Sequence, residues 1–218
     1  MHKGKIGILG RRELIIGLGA MAIPLTSAER LSSRERAATP RQTEGPFYPK
    51  DWSGDADWDL VRIKGRAVEA MGQVTYITGH ISDTSGKSLS NTRVEIWQCD
   101  NNGRYLHPGD NRSQERDFLF QGRGRMLTDR DGNYRFRTIK PISYPGRTPH
   151  IHFAVTPPSG RSLITQMYVR GEPQNDRDRL LNSIRDRTVR DRLMVRLEPA
   201  DRIEPGALTG QFNIVLPA

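Results

Sequence analysis

Hydrophobic and polar residues alternate along most of the chain beyond residue 60, and a period of two residues is typical of β-strands. In a strand this alternation puts one set of side chains on one face and the other set on the opposite face. Only residues 175–195 show a weak helical pattern. The predicted strands lie at residues 61–68, 74–81, 92–99, 134–139, 150–156, 163–169 and 211–216.

Turn sequences separate these strands at short intervals. Residues 83–86, 100–103 and 129–132 each begin with Asp and end with Gly, two residues that favour tight turns. The chain also has 21 glycines and 14 prolines, which favour turns over long helices. Short strands with turn signals at this spacing predict an all-β sandwich with little helix.

The composition fits a water-soluble domain with a charged surface. Hydrophobic residues make up 35% of the chain, and the mean hydropathy is −0.66. The net charge is +9. However, Arg and Asp alternate over residues 176–192, which indicates a salt-bridged surface and not a nucleic-acid face. We therefore expect no nucleic-acid partner. Cys99 is the single cysteine, so an intrachain disulfide is excluded.

The first 28 residues have the layout of a bacterial signal peptide. Four basic residues and one acidic residue give them a net charge of +3. The apolar run at residues 14–25 is too short to cross a bilayer comfortably. Arg11 and Arg12 precede this run, as in a twin-arginine signal, although Glu13 departs from that pattern. An ordinary secretory signal or an uncleaved anchor stays open.

This layout predicts three parts of the chain. Residues 1–28 would be the signal peptide, residues 29–41 a flexible polar leader, and residues 42–218 the folded domain. We expect the protein to be exported to the periplasm or the exterior, without a stable membrane span in its mature form.

A pair of histidines is the strongest local signal of chemistry. His150 and His152 are two residues apart in a predicted strand, so their side chains point to the same face and can share one metal ion. Ile151 and Phe153 beside them are apolar, which indicates a buried strand, and buried imidazoles need partners. A hydrogen-bonded pair without a metal is a common alternative for such a motif.

Two tyrosines upstream of this pair are further candidates. Tyr144 lies in a Pro- and Gly-rich loop directly before the histidines, and Tyr105 follows the turn at residues 100–103. A loop tyrosine is usually an amphipathic cap on the core, so neither position alone indicates a ligand. His80 and His107 each stand alone in turn-like or exposed sequence, and we expect neither to bind a metal.

The order of these residues resembles the intradiol ring-cleavage dioxygenase family. Residues 94–105 resemble the segment with that family's first iron-binding tyrosine, and residues 124–141 resemble the next core segment. The resemblance covers residues 40–175. Within this family the chain resembles the protocatechuate 3,4-dioxygenase-like branch, because no helical dimerisation region precedes the domain. The other matching positions are Tyr144, Arg147, residues 150–153, residues 163–168 and the N-terminal segment at residues 43–48.

The resemblance implies a β-sandwich of the intradiol type, with long active-site loops and a catalytic domain at residues 42–218. Tyr144 would be an axial ligand that leaves the iron and accepts a substrate proton. His150 would be axial as well, whereas Tyr105 and His152 would be equatorial. Tyrosinates suit a ferric ion because hard cations prefer anionic oxygen donors. The implied cofactor is one non-haem Fe(III) per chain, bound by Tyr105, Tyr144, His150 and His152.

The implied reaction cleaves a catechol-type ring with O₂ between the two hydroxyl-bearing carbons and gives a ring-opened dicarboxylic acid. Arg147 would stabilise developing negative charge. The alternative interpretation is that Arg147 is an ordinary surface arginine. Gln166 would hydrogen-bond near the substrate, or else have a structural role in its strand. The residues expected to line the substrate mouth are Thr43, Gly45, Pro46 and Tyr48.

Two other interpretations also fit the sequence. Residues 79–87, 94–96 and 128–136 also resemble transthyretin-like β-sandwich modules of exported proteins, many of which have no catalysis. His150 and His152 could instead bind Cu or Zn with other donors. A single chain carries every implied iron ligand, which favours a self-sufficient subunit, and a homo-oligomer of such subunits is compatible with the sequence.

Overall fold

The computed structural model describes Met1 and residues 36–217 of the chain, and β-strands dominate the described part. The predicted signal peptide therefore lies outside the described residues apart from Met1. The helical elements are a 3₁₀ helix (Pro173–Arg177), α1 (Arg179–Asn182) and α2 (Arg187–Asp191). The strands are β1 (Val74–Asp83), β2 (Arg93–Trp97), β3 (Arg123–Leu127), β4 (Asn133–Ile139), β5 (His150–Thr156), β6 (Leu163–Val169), β7 (Met194–Val195), β8 (Glu198–Pro199), β9 (Leu208–Gln211) and β10 (Ile214–Leu216).

The strands form two five-stranded sheets. In the first sheet, β1 pairs with β4 in antiparallel orientation. It also pairs in parallel with β9 and, at its end, with β10, while β8 extends the sheet from β9. The second sheet has the order β3-β2-β5-β6-β7 and is antiparallel except for the last pair. Strand β5 is therefore the central strand of the second sheet.

Apolar side chains from both sheets meet in one core, and this confirms the predicted sandwich. Ile77 of β1 and Phe136 of β4 are fully buried, as are Ile96 of β2 and Phe153 of β5. The ring of Tyr134 in β4 meets the Phe153 ring edge-on at 6.0 Å. Full burial of a side chain of this kind contributes about 1.5–3 kcal/mol, so this core is the main source of stability.

Strand β5 is buried on both faces, and this positions the candidate site. Ile151, Phe153 and Val155 belong to the core between the sheets. Because side chains alternate along a strand, His150 and His152 lie on the opposite face. That face is covered by a second apolar cluster, made of Trp97, Cys99, Tyr105 and Ala154 with Phe47, Tyr48, Ile142, Tyr144 and Ile164 packed against it.

The prediction of a strand at residues 61–68 is wrong. Leu60 and Val61 are both fully buried although they are neighbours, whereas Val68 is 65% exposed. The N–H of Ala70 donates to the Val61 carbonyl at 2.9 Å and closes the segment into a loop. The alternating residues therefore belong to a loop that is buried only at its first residues, and they do not form one face of a strand.

Two further differences concern strand bounds. The predicted strand at residues 211–216 is divided into β9 and β10, because the side chain of Asn213 takes the hydrogen bond from His80 N–H at 3.0 Å. Strand β3 was not predicted, since its arginines and glycine hide the alternation.

The weak helical pattern at residues 175–195 corresponds to the three short helical elements. None of the described helices has the length and apolarity needed to cross a bilayer.

Residues 36–41, the described part of the predicted leader, pack along the domain. Arg36 N–H donates to the Thr84 carbonyl at 2.8 Å, and Thr39 N–H donates to the Val215 carbonyl at 2.9 Å. Thr39 is buried, and its Oγ1 accepts the N–H of Val215 at 2.9 Å. The polar composition suggested flexibility, but the backbone of the segment finds partners on the sandwich.

Candidate metal centre

Strand β5 places two imidazoles side by side. The Nε2 atoms of His150 and His152 are 3.2 Å apart, and both side chains are almost fully buried. His150 Nδ1 lies 2.6 Å from the Thr148 carbonyl, to which it donates, so its Nε2 keeps a lone pair for a ligand. The ring of Trp97 stacks on the His152 ring with 4.9 Å between centroids. Both imidazoles are therefore fixed in orientation.

Tyr105 reaches the histidines from the loop after β2. Asp100 Oδ1 accepts the N–H of Arg104 at 2.9 Å, and this closes the turn that precedes the tyrosine. Tyr105 N–H donates to Asp110 Oδ2 at 2.7 Å. The side chain is 2% exposed, and its Oη lies 3.4 Å from His150 Nε2.

Tyr144 approaches the same nitrogen from a tight turn. Arg147 N–H donates to the Tyr144 carbonyl at 2.9 Å. Pro145 and Gly146 occupy the middle of the turn, and Gly146 has a φ of +81°, as a type II turn requires. The half-buried side chain of Tyr144 places its Oη 3.5 Å from His150 Nε2.

The four candidate ligands thus bring two nitrogens and two oxygens together. Separations of 3.2–3.5 Å from His150 Nε2 are those expected for donors that each lie about 2 Å from one ion. Among the described residues, no group of three or more His, Cys, Asp or Glu could hold a metal ion, so a metal site here needs the tyrosines. Two phenolates with two imidazoles fit a hard ferric ion.

The protein environment by itself favours neutral ligands. Burial raises the pKa of Tyr105 well above its ordinary value, and burial also raises the pKa of Tyr144. Burial lowers the pKa of His150 to about 3 and holds the pKa of His152 well below its ordinary value. Neutral histidines are the form that binds a metal, and a cation at the centre would stabilise the phenolates.

Arg147 is fixed beside this centre and is not an ordinary surface arginine, since its side chain is 14% exposed. Its Nε donates to Asp178 Oδ2 at 2.9 Å, and its Nη2 donates to Gln166 Oε1 at 2.5 Å. Gln166 is fully buried, and its Nε2 donates to the Thr43 carbonyl at 2.8 Å. Arg147, Asp178 and Tyr144 also line a cleft of about 460 Å³.

The N-terminal segment packs against the centre at one glycine. Gly45 has a φ of +73°, and a Cβ at this position would lie 3.3 Å from His152 Cε1. Tyr48 meets Trp97 edge-on at 5.0 Å, so it packs against the tryptophan that stacks on His152. Pro46 is exposed.

Phe47 and Arg112 lie at the centre and were not singled out from the sequence. The ring of Phe47 stacks on Tyr105 with 4.9 Å between centroids. The guanidinium of Arg112 lies 4.7 Å from the centroid of the Tyr144 ring. The motif at residues 43–48 contains Phe47, whereas Arg112 lies in an irregular loop where no alternation pattern could place it.

His80 and His107 both lie outside the centre. His80 Nε2 is 2.8 Å from Ser88 Oγ. His107 Nδ1 accepts the N–H of Gly109 at 2.9 Å, within a turn. The ring of His107 is buried 5.7 Å from that of Phe47, which corrects any expectation that it is exposed.

Comparisons with known proteins identify relatives of the chain. A family model described as "Dioxygenase" (Dioxygenase_C) matches residues 43–218. The protocatechuate 3,4-dioxygenase beta chain of Burkholderia cepacia is 38% identical over 184 residues, which cover 81% of this chain and 78% of that protein. Catechol 1,2-dioxygenase of Candida albicans is 29% identical over 205 residues, which cover 86% of this chain and 62% of that protein.

Solved structures show the same relationship. The dioxygenase domain of a dioxygenase carbohydrate-binding protein fusion from Streptomyces sp. SirexAA-E has a TM-score of 0.65 and 30% identity, and the match covers 84% of this chain and 99% of that one. Hydroxyquinol 1,2-dioxygenase from Pseudomonas putida DLL-E4 shares the fold, with a TM-score of 0.63 at 21% identity and coverage of 88% and 71%. These relatives favour catalysis over a non-catalytic transthyretin-like module. The chain belongs to the intradiol ring-cleavage dioxygenase family.

Proposed function

We propose that the centre of this dioxygenase holds one non-haem Fe(III) per chain, with Tyr105, Tyr144, His150 and His152 as its ligands. The observation that carries the proposal is the convergence of two phenol oxygens and a second imidazole nitrogen within 3.5 Å of His150 Nε2. A simple hydrogen-bonded histidine pair would account for the two nitrogens but not for the two phenols.

The proposed substrate is a catechol-type diol. A ferric ion held by these four residues would supply Lewis-acid chemistry that polarises the bound diol. The overall reaction consumes O₂, cuts the bond between the two hydroxyl-bearing carbons and gives a ring-opened dicarboxylic acid.

Tyr144 is our candidate for the proton acceptor. It is half-buried and lines the cleft of about 460 Å³, whereas Tyr105 is 2% exposed and lies deeper. A diol that enters from the cleft therefore meets Tyr144 first. Its Oη would accept a proton from a substrate hydroxyl, and Tyr105 would keep its place.

Arg147 would supply positive charge where the diol oxygens become negative. Its guanidinium is held on one edge by Asp178 and by Gln166, so it needs little reorganisation during the reaction. Gln166 would act by holding Arg147 and the backbone of Thr43 in place. The residues that would line or support the substrate mouth are Thr43, Gly45, Pro46 and Tyr48.

Export is a proposal that rests on the sequence of residues 1–28. A twin-arginine route carries folded proteins and would suit a chain that takes up its metal before export. Replacement of Arg11 and Arg12 by Lys should then keep the protein in the cytoplasm of a bacterial host, whereas an ordinary secretory signal would still export it.

Assembly into a homo-oligomer is likewise a proposal, which measurement of the mass in solution would test.

A visible spectrum with metal analysis tests the centre itself. We expect one iron per chain and a broad visible band from tyrosinate-to-iron charge transfer. Anaerobic addition of catechol should move this band to longer wavelength, and admission of O₂ should release the ring-opened diacid. A protein that stays colourless after reconstitution with Fe(III) would refute the proposed ligand set.

A further inference from the structure

We infer that Arg112 is a positioning residue of the centre, which holds the Tyr144 ring in place and lowers the electron donation of its phenolate. The inference rests on the proposed iron site and adds a residue outside the segments that carry the family resemblance.

The guanidinium of Arg112 sits among three aromatic rings. Its Cζ lies 4.7 Å from the centroid of Tyr144, 5.6 Å from that of Phe47 and 6.0 Å from that of Tyr105. A guanidinium within about 6 Å of a ring centroid is attracted by the electron-rich face of the ring. The three rings come from separate segments of the chain. One side chain thus joins the N-terminal segment to both tyrosine loops.

Asp110 fixes the guanidinium in this position. Arg112 Nε donates to Asp110 Oδ1 at 2.9 Å, and Arg112 Nη2 donates to Asp110 Oδ2. The carboxylate is buried and also accepts the backbone N–H of Tyr105 at 2.7 Å. Asp110 therefore fixes both the backbone of Tyr105 and the position of the Arg112 guanidinium over the Tyr144 ring.

Arg104 fastens the loop that carries Arg112. Its Nη2 donates to the Asp110 carbonyl at 2.7 Å, and its Nη1 donates to the carbonyls of Arg112 and Gln114. These bonds hold the backbone on both sides of Arg112. Hydrogen bonds thus hold both the side chain and the backbone of Arg112. An arginine that served only as surface charge would not require both.

A fixed cation over a phenolate has an electronic consequence. It stabilises the negative charge on the ring, so the phenolate gives up an electron less readily. Transfer of charge from Tyr144 to iron then requires more energy than it would without the guanidinium. Loss of the cation should therefore shift the charge-transfer band to longer wavelength, even if every iron ligand is retained.

The test compares reconstituted Arg112→Met with the wild-type protein. Methionine keeps an unbranched side chain but carries no charge. We expect unchanged iron content and a band shifted to longer wavelength. Arg112→Lys should restore part of the wild-type position, because it returns the charge without the planar group.

Arg116→Met is the matched control. Arg116 lies on the same loop, and its guanidinium is 4.3 Å from the ring of Phe118, which is 68% exposed. This variant loses a cation–π contact without touching either tyrosine, so its band should coincide with that of the wild type.

The possible outcomes distinguish failure of the Arg112 role from failure of the proposed iron site. A coloured Arg112→Met protein with full iron content and an unshifted band would refute the role of Arg112 and leave the iron site intact. A wild-type protein that binds no iron would refute both. If Arg112→Met does not fold, Arg112→Gln takes its place with the same expected shift.

Discussion

The carboxylate of Asp178 holds the guanidinium of Arg147, with Oδ2 at 2.9 Å from Nε. The same carboxylate begins helix α1, because its Oδ1 accepts the N–H groups of Leu180 and Leu181 at 2.9 and 3.0 Å. Asp178 is 1% exposed, so this ion pair is shielded from water. Asp178 thus both begins α1, which lies between β6 and β7, and positions the charge of Arg147 beside the candidate metal centre.

Replacement of Arg147 by leucine should leave iron in place and slow turnover. The proposed ligands do not include Arg147, but the loss of one charge-stabilising donor typically lowers kcat by about 10²–10³-fold. Metal analysis and steady-state kinetics on catechol would check both parts. Arg170→Leu, which removes an exposed ion pair with Asp191, is the control and should keep wild-type kinetics. Loss of iron from Arg147→Leu would show that Arg147 is structural.

Asp178→Asn separates the charge of this residue from its role as a helix cap. Asn caps helices about as well as Asp, so α1 should persist, but Arg147 loses its ionic partner. Leaving one member of a buried pair without its partner costs about 3 kcal/mol of stability. We expect lower thermal stability and turnover reduced by about tenfold, equivalent to about 1.4 kcal/mol of transition-state stabilisation.

The control for this variant is Asp186→Asn. Asp186 caps α2 in the same way, through the N–H groups of Thr188 and Val189, but it has no arginine of the centre beside it. Its kinetics should match those of the wild type. Equal kinetics for both Asn variants would contradict the link between Asp178 and Arg147.

Gly45→Ala should disturb the centre from the side of the N-terminal segment. The new methyl would lie 3.3 Å from His152 Cε1, in a backbone conformation with φ of +73° that alanine rarely adopts. Gly54 has nearly the same φ, +72°, with nothing within 4 Å of an added Cβ. Both variants should lose about 1 kcal/mol from backbone strain. Only Gly45→Ala should also lower the affinity for iron, measured by competition with a chelator.

The sequence predicted the fold class because alternation is clear in the strands that have one exposed face. The pair at His150 and His152 was also visible, since the i and i+2 positions of a strand share a face whatever covers it. Tyr105 and Tyr144 were different: they lie in loops, and only their order relative to the histidines, compared with a family, singled them out.

Other parts could not be predicted for physical reasons. Residues 61–68 alternate like a strand, yet the segment is a loop, because local pattern does not encode which backbone groups find partners. Asp178 and Arg112 act through contacts across 31 and 32 residues of chain, with Arg147 and Tyr144 respectively. Such long-range contacts depend on how the loops pack over β5, and the hydrophobic periodicity of the sequence does not predict them.

Tyr105→Phe should weaken the visible band and abolish the activity. The variant would remove one of the two proposed anionic donors, so a ferric ion would keep a single phenolate and be bound more weakly. The visible band, iron content and ring cleavage would be measured after reconstitution. Tyr134→Phe is the control: this buried tyrosine donates its O–H to the Phe212 carbonyl, away from the centre. It should lose about 1 kcal/mol of stability and keep the band. Full colour in Tyr105→Phe would exclude this residue as a ligand.

Acid stability should depend on Arg137, which joins β4 to the three loops that carry its acidic partners. Its guanidinium is 7% exposed and pairs with Asp59, Glu69 and Glu204 at 2.8–3.1 Å. Hydrogen bonds from Arg137 lower the pKa of Glu69 and of Glu204. A carboxylate with a lowered folded-state pKa stabilises the protein fully above its unfolded pKa of about 4.3, and this contribution is lost as the pH falls through the folded value.

Arg137→Met should therefore cost stability at neutral pH and much less in acid. The cost should lie between about 1 kcal/mol for an exposed pair and about 5 kcal/mol for a buried one, because the partners are partly exposed. Urea unfolding at about pH 7 and about pH 3 would measure the difference, which should shrink as the glutamates become protonated in both proteins. Arg135→Met, on the exposed face of the same strand over the ring of Trp58, should show no such pH dependence. A cost for Arg137→Met that stays constant across this range would show that the arginine acts through packing and not through its charge.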